Sequence, residues 1–235
     1  MFMDIRQWRF QEDWFVDQAH ECDRVLGRHG FSRMCDYARH VTQDDIEGLW
    51  ALLQGTKKER PMHQFLSERA HLVVNADFAY GCRWVKSNPR LGDEFSADFI
   101  IGRLESIGLR WTLIELQDPD TQLFLGNGKP GNELREGLHQ IRQWRGWINR
   151  WGTNGVEKFG YRGLRADFHA LVVIGRSNDK RQDLQGDQRI AELEQEHRVQ
   201  IRSYDSIGRA AVQTLNDCGV DHNDHQHQPR HDGRR

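Results

Sequence analysis

The stretch Leu109 to Gln117, LRWTLIELQ, constrains the fold most. Leu109, Trp111, Leu113, Ile114 and Leu116 make it predominantly apolar, with one acid, Glu115, near its end. An apolar run of this length, rich in β-branched and aromatic residues, suits a central strand covered on both faces. The segment before it, Phe95 to Leu104, FSADFIIGRL, reads as a partner strand that carries Asp98. Glu105, Ser106, Ile107 and Gly108 lie between the two. A glycine there suits a hairpin, because tight loops often need positive φ.

In an antiparallel hairpin turning between Ser106 and Ile107, Asp98 stands opposite Glu115. Directly opposed Cβ atoms are about 4.5–5.5 Å apart. Gln117, two residues on, emerges on the same face as Glu115. Two carboxylates this close repel each other, and burying them is costly. A cation between them resolves both problems. Mg²⁺ typically takes one or two carboxylates together with waters and phosphate oxygens. A one-residue bulge would undo this register. The plainer alternative puts Asp98 near a surface turn and Glu115 on the solvent side of an edge strand. The apolarity of the strand speaks against an edge position.

A chain of 235 residues holds one sizeable α/β domain with a helical extension. The net charge is -2, so any contact with a polyanion has to be a local patch. No apolar run is long enough to span a membrane. The opening MFMDIRQWRF has no basic segment followed by an apolar core, so no secretory signal is expected. Cys22, Cys35, Cys82 and Cys218 are scattered without a CxxC pair, which points to a reduced, cytoplasmic protein.

Residues 1–41 form an N-terminal extension of unassigned role. His20, Cys22, Cys35 and His40 can be drawn as a zinc site, but their spacing fits no standard finger. Thr42 to Gln54 is expected to be a helix opened by a capping box with Asp45. A second helix is expected to begin at Pro61, PMHQFLSERAHLV. A short strand is expected over Cys82 to Lys86. Asn132 is the expected N-cap of a long helix to about Trp151. One stripe of that helix is Leu134, Leu138, Ile141 and Ile148. A second is Gln140, Trp144, Trp147 and Trp151, with Arg135, His139, Arg142 and Arg145 as a basic flank. On the functional reading Gln140 faces the acidic centre and the arginines meet phosphates; on the plain one the tryptophans are core and the arginines are solvated. His169 to Gly175 reads as a buried strand, Asp183 to Arg198 as a helix, Val199 to Tyr204 as a strand and Ser206 to Asp217 as a last helix. The order predicts an α/β fold, a mixed sheet with helices on both faces. The 42–217 domain would be followed by a disordered tail, 218–235, with His222, His225, His227 and His231.

The loop GNGKPG has the GxGxxG spelling at Gly126, Gly128 and Gly131. It is not read as a dinucleotide site. The glycines do not directly follow the strand, and Pro130 interrupts the turn. Arg176, at the next strand end, lies about 45 residues beyond Gly131, where the fingerprint wants an acid after about 20.

The segments EFSADFIIG, WTLIELQDP, HQIRQWRGWI and LVVIGRS, in that order, resemble the C-terminal nuclease domain of Shedu anti-phage defence proteins. That family belongs to the PD-(D/E)xK, restriction-endonuclease-like superfamily. The resemblance covers roughly residues 45 to 215. It implies a restriction-endonuclease-like mixed β-sheet flanked by helices. It also implies a metal-dependent endonuclease, using Mg²⁺ or Mn²⁺, that acts on phage or other invading DNA, usually as a homo-oligomer. By position, Asp98 and Glu115 take the places of the motif acids, with the Leu116 carbonyl as a third metal ligand. Gln117 stands where the family usually has Lys. Gln140 resembles a helix glutamine of several branches, and Arg176 an arginine at the LVVIGR strand end. The first-helix glutamate of the superfamily could correspond to Gln64 or Glu68. The neutral Gln117 keeps a rival reading open: a catalytically weakened or inactive module that binds DNA or a partner.

Overall fold

The structure is a computed structural model that describes residues 17–34, 41–76, 82–177 and 184–220. The tail from 221 onward, Cys35 and His40 lie outside the described residues. Residues 17–27 form α1, followed by β1 (Ser32–Arg33). Then come α2 (Gln43–Gly55), α3 (Glu59–Glu68) and α4 (Ala70–Ala76). The strands β2 (Arg83–Ser87), β3 (Arg90–Leu91), β4 (Phe95–Ser96), β5 (Phe99–Glu105) and β6 (Gly108–Leu116) follow. The long α5 (Asn132–Glu157), β7 (His169–Val173), α6 (Leu184–His197), β8 (Val199–Arg202) and α7 (Tyr204–Val220) complete the described chain.

The main sheet has the order β1-β2-β5-β6-β7-β8. It is antiparallel from β1 to β6 and parallel from β6 to β8. The expected mixed sheet with helices on both faces is therefore the architecture found. β6 sits between β5 and β7, and its last six residues are all buried. Alternation along β6 divides the core. Leu113 joins Ile100 and Val172 under Leu26 of α1, Trp144 of α5 and Ile190 of α6. Ile114 and Leu116 join Phe99, Ile101 and Val173 under Leu49, Met62, Leu72 and Ile207 from α2, α3, α4 and α7.

The β5–β6 register pairs Phe99 with Ile114 and Glu105 with Gly108, without a bulge. Gly108 has φ 113° where the turn needs it. The predicted single strand from Phe95 is broken. Phe95 and Ser96 pair with Arg90 and Leu91 in a separate small hairpin. The chain then re-enters the main sheet at Phe99.

The helix starts have clear local causes. Thr42 Oγ1 accepts from the Asp45 N–H at 3.2 Å, and Asp45 Oδ2 accepts from the Thr42 N–H at 3.0 Å. This is the expected capping box. The second predicted helix is two helices, broken at Arg69 (φ -126°, ψ 49°). It also starts earlier than Pro61, at Glu59, because the first-turn N–H that proline lacks has no helical partner in any case. Gly131, not Asn132, is the N-cap of α5. A Cβ on Gly131 would lie 2.4 Å from the Gln122 carbonyl oxygen, so the close approach of two backbones dictates the glycine. Gly152 (φ 64°) breaks α5 just beyond Trp151, where the long helix was expected to end.

The described N-terminal residues, 17–34, pack onto the sheet. Ala19, Cys22, Leu26 and Phe31 belong to one half of the core, and β1 extends the sheet. Cys22 is free and buried, whereas Cys82 is disulfide-bonded, which corrects the expectation of four reduced thiols.

Candidate metal centre

The acidic residues meet at the end of β6. Asp98 immediately precedes β5, and its N–H donates to the Ile114 carbonyl at 3.2 Å. Ile114 is the residue that pairs with Phe99, so this bond steps one residue off the ladder, and the expected direct opposition of Asp98 to Glu115 gives way to a bulge just before β5. The Asp98 Oδ2 atom accepts from the Leu116 N–H at 2.7 Å. Glu115 is buried within β6, and Gln117 Nε2 donates to its Oε1 at 3.1 Å. Gln117 is itself held at both ends of its backbone unit: its N–H donates to the Val173 carbonyl, and its carbonyl accepts from Tyr204 Oη at 2.9 Å.

A third carboxylate comes from α3. Asp118, just after β6, accepts from the Glu59 N–H at 2.9 Å and from Lys58 Nζ at 2.7 Å. It thereby caps the N-terminus of α3 from outside that helix. The tie brings Glu59 within electrostatic reach of Asp98 and Glu115. One turn further along α3, His63 packs its ring on Phe99 at 5.5 Å. His63 Nε2 lies 3.6 Å from Asp98 Oδ1.

The proton affinities report this crowding. Burial, then Asp98 and Glu59, push Glu115 up to about 9, with Gln117 opposing and Glu136 adding a little. Burial, then Asp98, Asp118 and Glu133, push Glu59 up to about 7. Burial raises Asp98 as well, against the pull of the Leu116 N–H and His63. A cluster of acids that resists ionisation in the absence of a cation is a place where a cation is favoured.

Among the described residues no three His, Cys, Asp or Glu side chains already converge as a cage. The donor set nonetheless fits a divalent ion that takes one or two carboxylates and completes its shell with water or phosphate. Asp98 and Glu115 offer the oxygens, and the buried His63 Nε2 has no hydrogen-bond partner among the described residues.

Helix α5 covers the centre through Gly137. A Cβ at Gly137 would meet Val172 Cγ1 at 3.1 Å and Gln117 Cγ at 3.4 Å. Gln140 is half-buried and hydrogen-bonds to none of the acids; Trp144 and Trp147 are core, and Trp151 is exposed.

The four arginines named from sequence have different settings. Arg135 and Arg142 are exposed on α5, and Arg135 reaches Asn132 Oδ1. Arg145 donates to the His197 and Arg198 carbonyls at the end of α6 and lies over the Phe168 ring. Arg176 donates to Asp205 and to the Leu53 carbonyl, joining the end of β7 to α7 and α2. Gln64 and Glu68 are exposed on α3, whereas Glu59 is the α3 carboxylate within electrostatic reach of Asp98. Glu59, His63, Asp118 and the exposed Lys57 and Lys58 were missed from sequence. The signal was ERPMH, which places an acid and a histidine one helical turn apart once the helix starts at Glu59.

Residues 56–207 match the family profile described as "Shedu protein SduA, C-terminal". Among solved structures the chain is similar to the restriction endonuclease FokI bound to DNA, with a TM-score of 0.41 and 13% identity. That alignment covers 77% of this chain and 29% of the other, so this chain spans under a third of that enzyme. Comparison with curated proteins finds no match. No helix among the described residues is long and apolar enough to cross a membrane.

Proposed function

The chain belongs to the Shedu SduA C-terminal family, and from that membership we propose that it is a divalent-metal-dependent DNA endonuclease of anti-phage defence. The observation that carries this reading is the acid pair at the end of β6: the buried Glu115 and the half-buried Asp98, whose carboxylate is fixed by the Leu116 N–H. Asp98 Oδ1, Glu115 and the Leu116 carbonyl would hold Mg²⁺ or Mn²⁺. When bound, such an ion supplies Lewis-acid polarisation of a scissile phosphate and lowers the pKa of an attacking water.

The chain's own groups do the rest by orientation. Leu116 holds Asp98 Oδ2 and so turns Oδ1 to the centre. Gln117 holds Glu115 Oε1, and Tyr204 holds the Gln117 backbone. Burial of this centre strengthens every charge interaction within it. Gln140 and Glu59 are proposed to line it. Lys57, Lys58, Arg135 and Arg142, all exposed, are proposed to meet the DNA backbone. The guanidinium donors of Arg145 and Arg176 are directed to protein acceptors, which supports a positioning role for them. The reading carries with it invading DNA as substrate, a homo-oligomer, a cytoplasmic setting, and a nuclease unit over 42–217.

One observation favours the rival, a nuclease-fold module that binds DNA or a partner without cutting. Gln117 offers a neutral amide, engaged with Glu115, where the family usually has a cation. Incubation of plasmid with the full chain in Mg²⁺, Mn²⁺ or EDTA separates the two. Nicking that needs a metal and disappears in Asp98→Asn supports the enzyme. DNA binding without cleavage in any metal supports the module.

A further inference from the structure

His63 is the nitrogen donor beside the acids. Its Nε2 atom is buried and has no hydrogen-bond partner among the described residues, although buried polar atoms are nearly always paired. Asp98 Oδ1 lies 3.6 Å from it. A ring N–H aimed at that oxygen would close to roughly 2.7–3.2 Å. Two donors of one small ion, each about 2.0–2.2 Å from it, stand roughly 3 Å apart in an octahedral shell and up to about 3.6 Å apart in a tetrahedral one. The observed spacing is longer than a hydrogen bond and lies at the wide end of shared coordination, leaving room for an ion between the two atoms.

The surroundings fix this arrangement. Asp98 Oδ2 is taken up by the Leu116 N–H, so Oδ1 is the oxygen facing His63. The imidazole is packed on Phe99, which limits its rotation. Glu59 lies one turn earlier on the same helix, and its N–H is anchored by Asp118. The helix start that delivers the third acid therefore also delivers the imidazole.

We propose that His63 is a nitrogen ligand to the ion held by Asp98, so that the centre favours Mn²⁺ or another imidazole-accepting transition ion over Mg²⁺. Imidazole suits transition ions, whereas Mg²⁺ prefers an all-oxygen shell. The inference rests on the metal-dependent reading above.

The test uses the full chain and Mn²⁺ alone, without DNA. Electron spin-echo spectroscopy of bound Mn²⁺ should show the nitrogen modulation of a coordinated imidazole. His63→Gln should abolish that signal and raise the Mn²⁺ dissociation constant about tenfold or more, with a much smaller change for Mg²⁺. Added imidazole should restore part of the Mn²⁺ affinity of His63→Ala. Mn²⁺ that binds, is lost in Asp98→Asn and shows no nitrogen modulation overturns the assignment of His63 and leaves the metal centre standing. Absence of any Asp98-dependent Mn²⁺ binding overturns both. The spectrum of the unsubstituted protein alone decides the point if the variants fail to fold.

Discussion

The Leu116 backbone N–H reaches Asp98 Oδ2 at 2.7 Å, so the strand that carries Glu115 also fixes the neighbouring carboxylate. A side chain held by a backbone donor loses little further freedom when an ion arrives. Asp98→Asn keeps an oxygen for the Leu116 N–H but removes the charge. It should therefore leave the fold intact and reduce cleavage by about a thousandfold or more. Circular dichroism and plasmid nicking check the two halves, and full activity in the purified variant would remove Asp98 from the chemistry.

Glu115→Gln should flatten the pH dependence of stability. Burial and the neighbouring acids raise Glu115 from 4.5 to about 9. A carboxyl whose folded-state pKa is raised contributes stability fully below its unfolded value and loses it as pH rises through the folded one. In EDTA, the unsubstituted protein should therefore weaken between about pH 5 and pH 9, by up to a few kcal/mol. The Gln variant should lose less over that window. Urea midpoints at three pH values measure it, and parallel slopes would show that Glu115 ionises without strain.

Gln117→Lys places an ammonium where the amide now meets Glu115 Oε1. The buried acids attract it, and a preorganised charge beside a phosphate is worth about 2–4 kcal/mol of transition-state stabilisation. Single-turnover cleavage should accelerate by tens to hundreds of fold. Equal or slower cutting by a folded variant would show that the amide is already the better group here.

The arginines should separate by what they hold. Arg142→Ala, on an exposed face, should leave the melting temperature unchanged and reduce the salt dependence of DNA binding. Arg176→Ala breaks contacts to Asp205 and to the Leu53 carbonyl, and should cost about 1–3 kcal/mol. The reverse pattern would place Arg176 on DNA and Arg142 in the fold.

Gly131→Ala should destabilise by about 2 kcal/mol or more, despite an ordinary φ of -62°. The new Cβ would meet backbone, the Gln122 carbonyl, which cannot swing away as a side chain can. A thermal melt within a degree of the parent would show that the Gln122 loop yields freely.

Much of this was legible in the residues because it depended on local rules. A continuous apolar run and a glycine at the turn specified the β5–β6 hairpin and its register from Phe99–Ile114 to Glu105–Gly108, whereas the one-residue step at Asp98 was not legible. Thr42 and Asp45 alone specified the start of α2. The Leu134, Leu138, Ile141 and Ile148 stripe specified the buried face of α5.

What the sequence left open depended on partners far along the chain. Glu59 enters the centre because Asp118, 59 residues away, binds its backbone N–H. No local pattern encodes a cap supplied from another element. Arg145 and Arg176 read as surface cations, and only the packing of α6 and α7 turned their donors to carbonyls and to Asp205. Spacing along a strand or helix fixes which residues share a face. Which faces meet, and which charges then lie together out of water, follows from long-range packing, and here that packing brought Glu59 and His63 toward the two acids that the sequence had placed at the end of the hairpin.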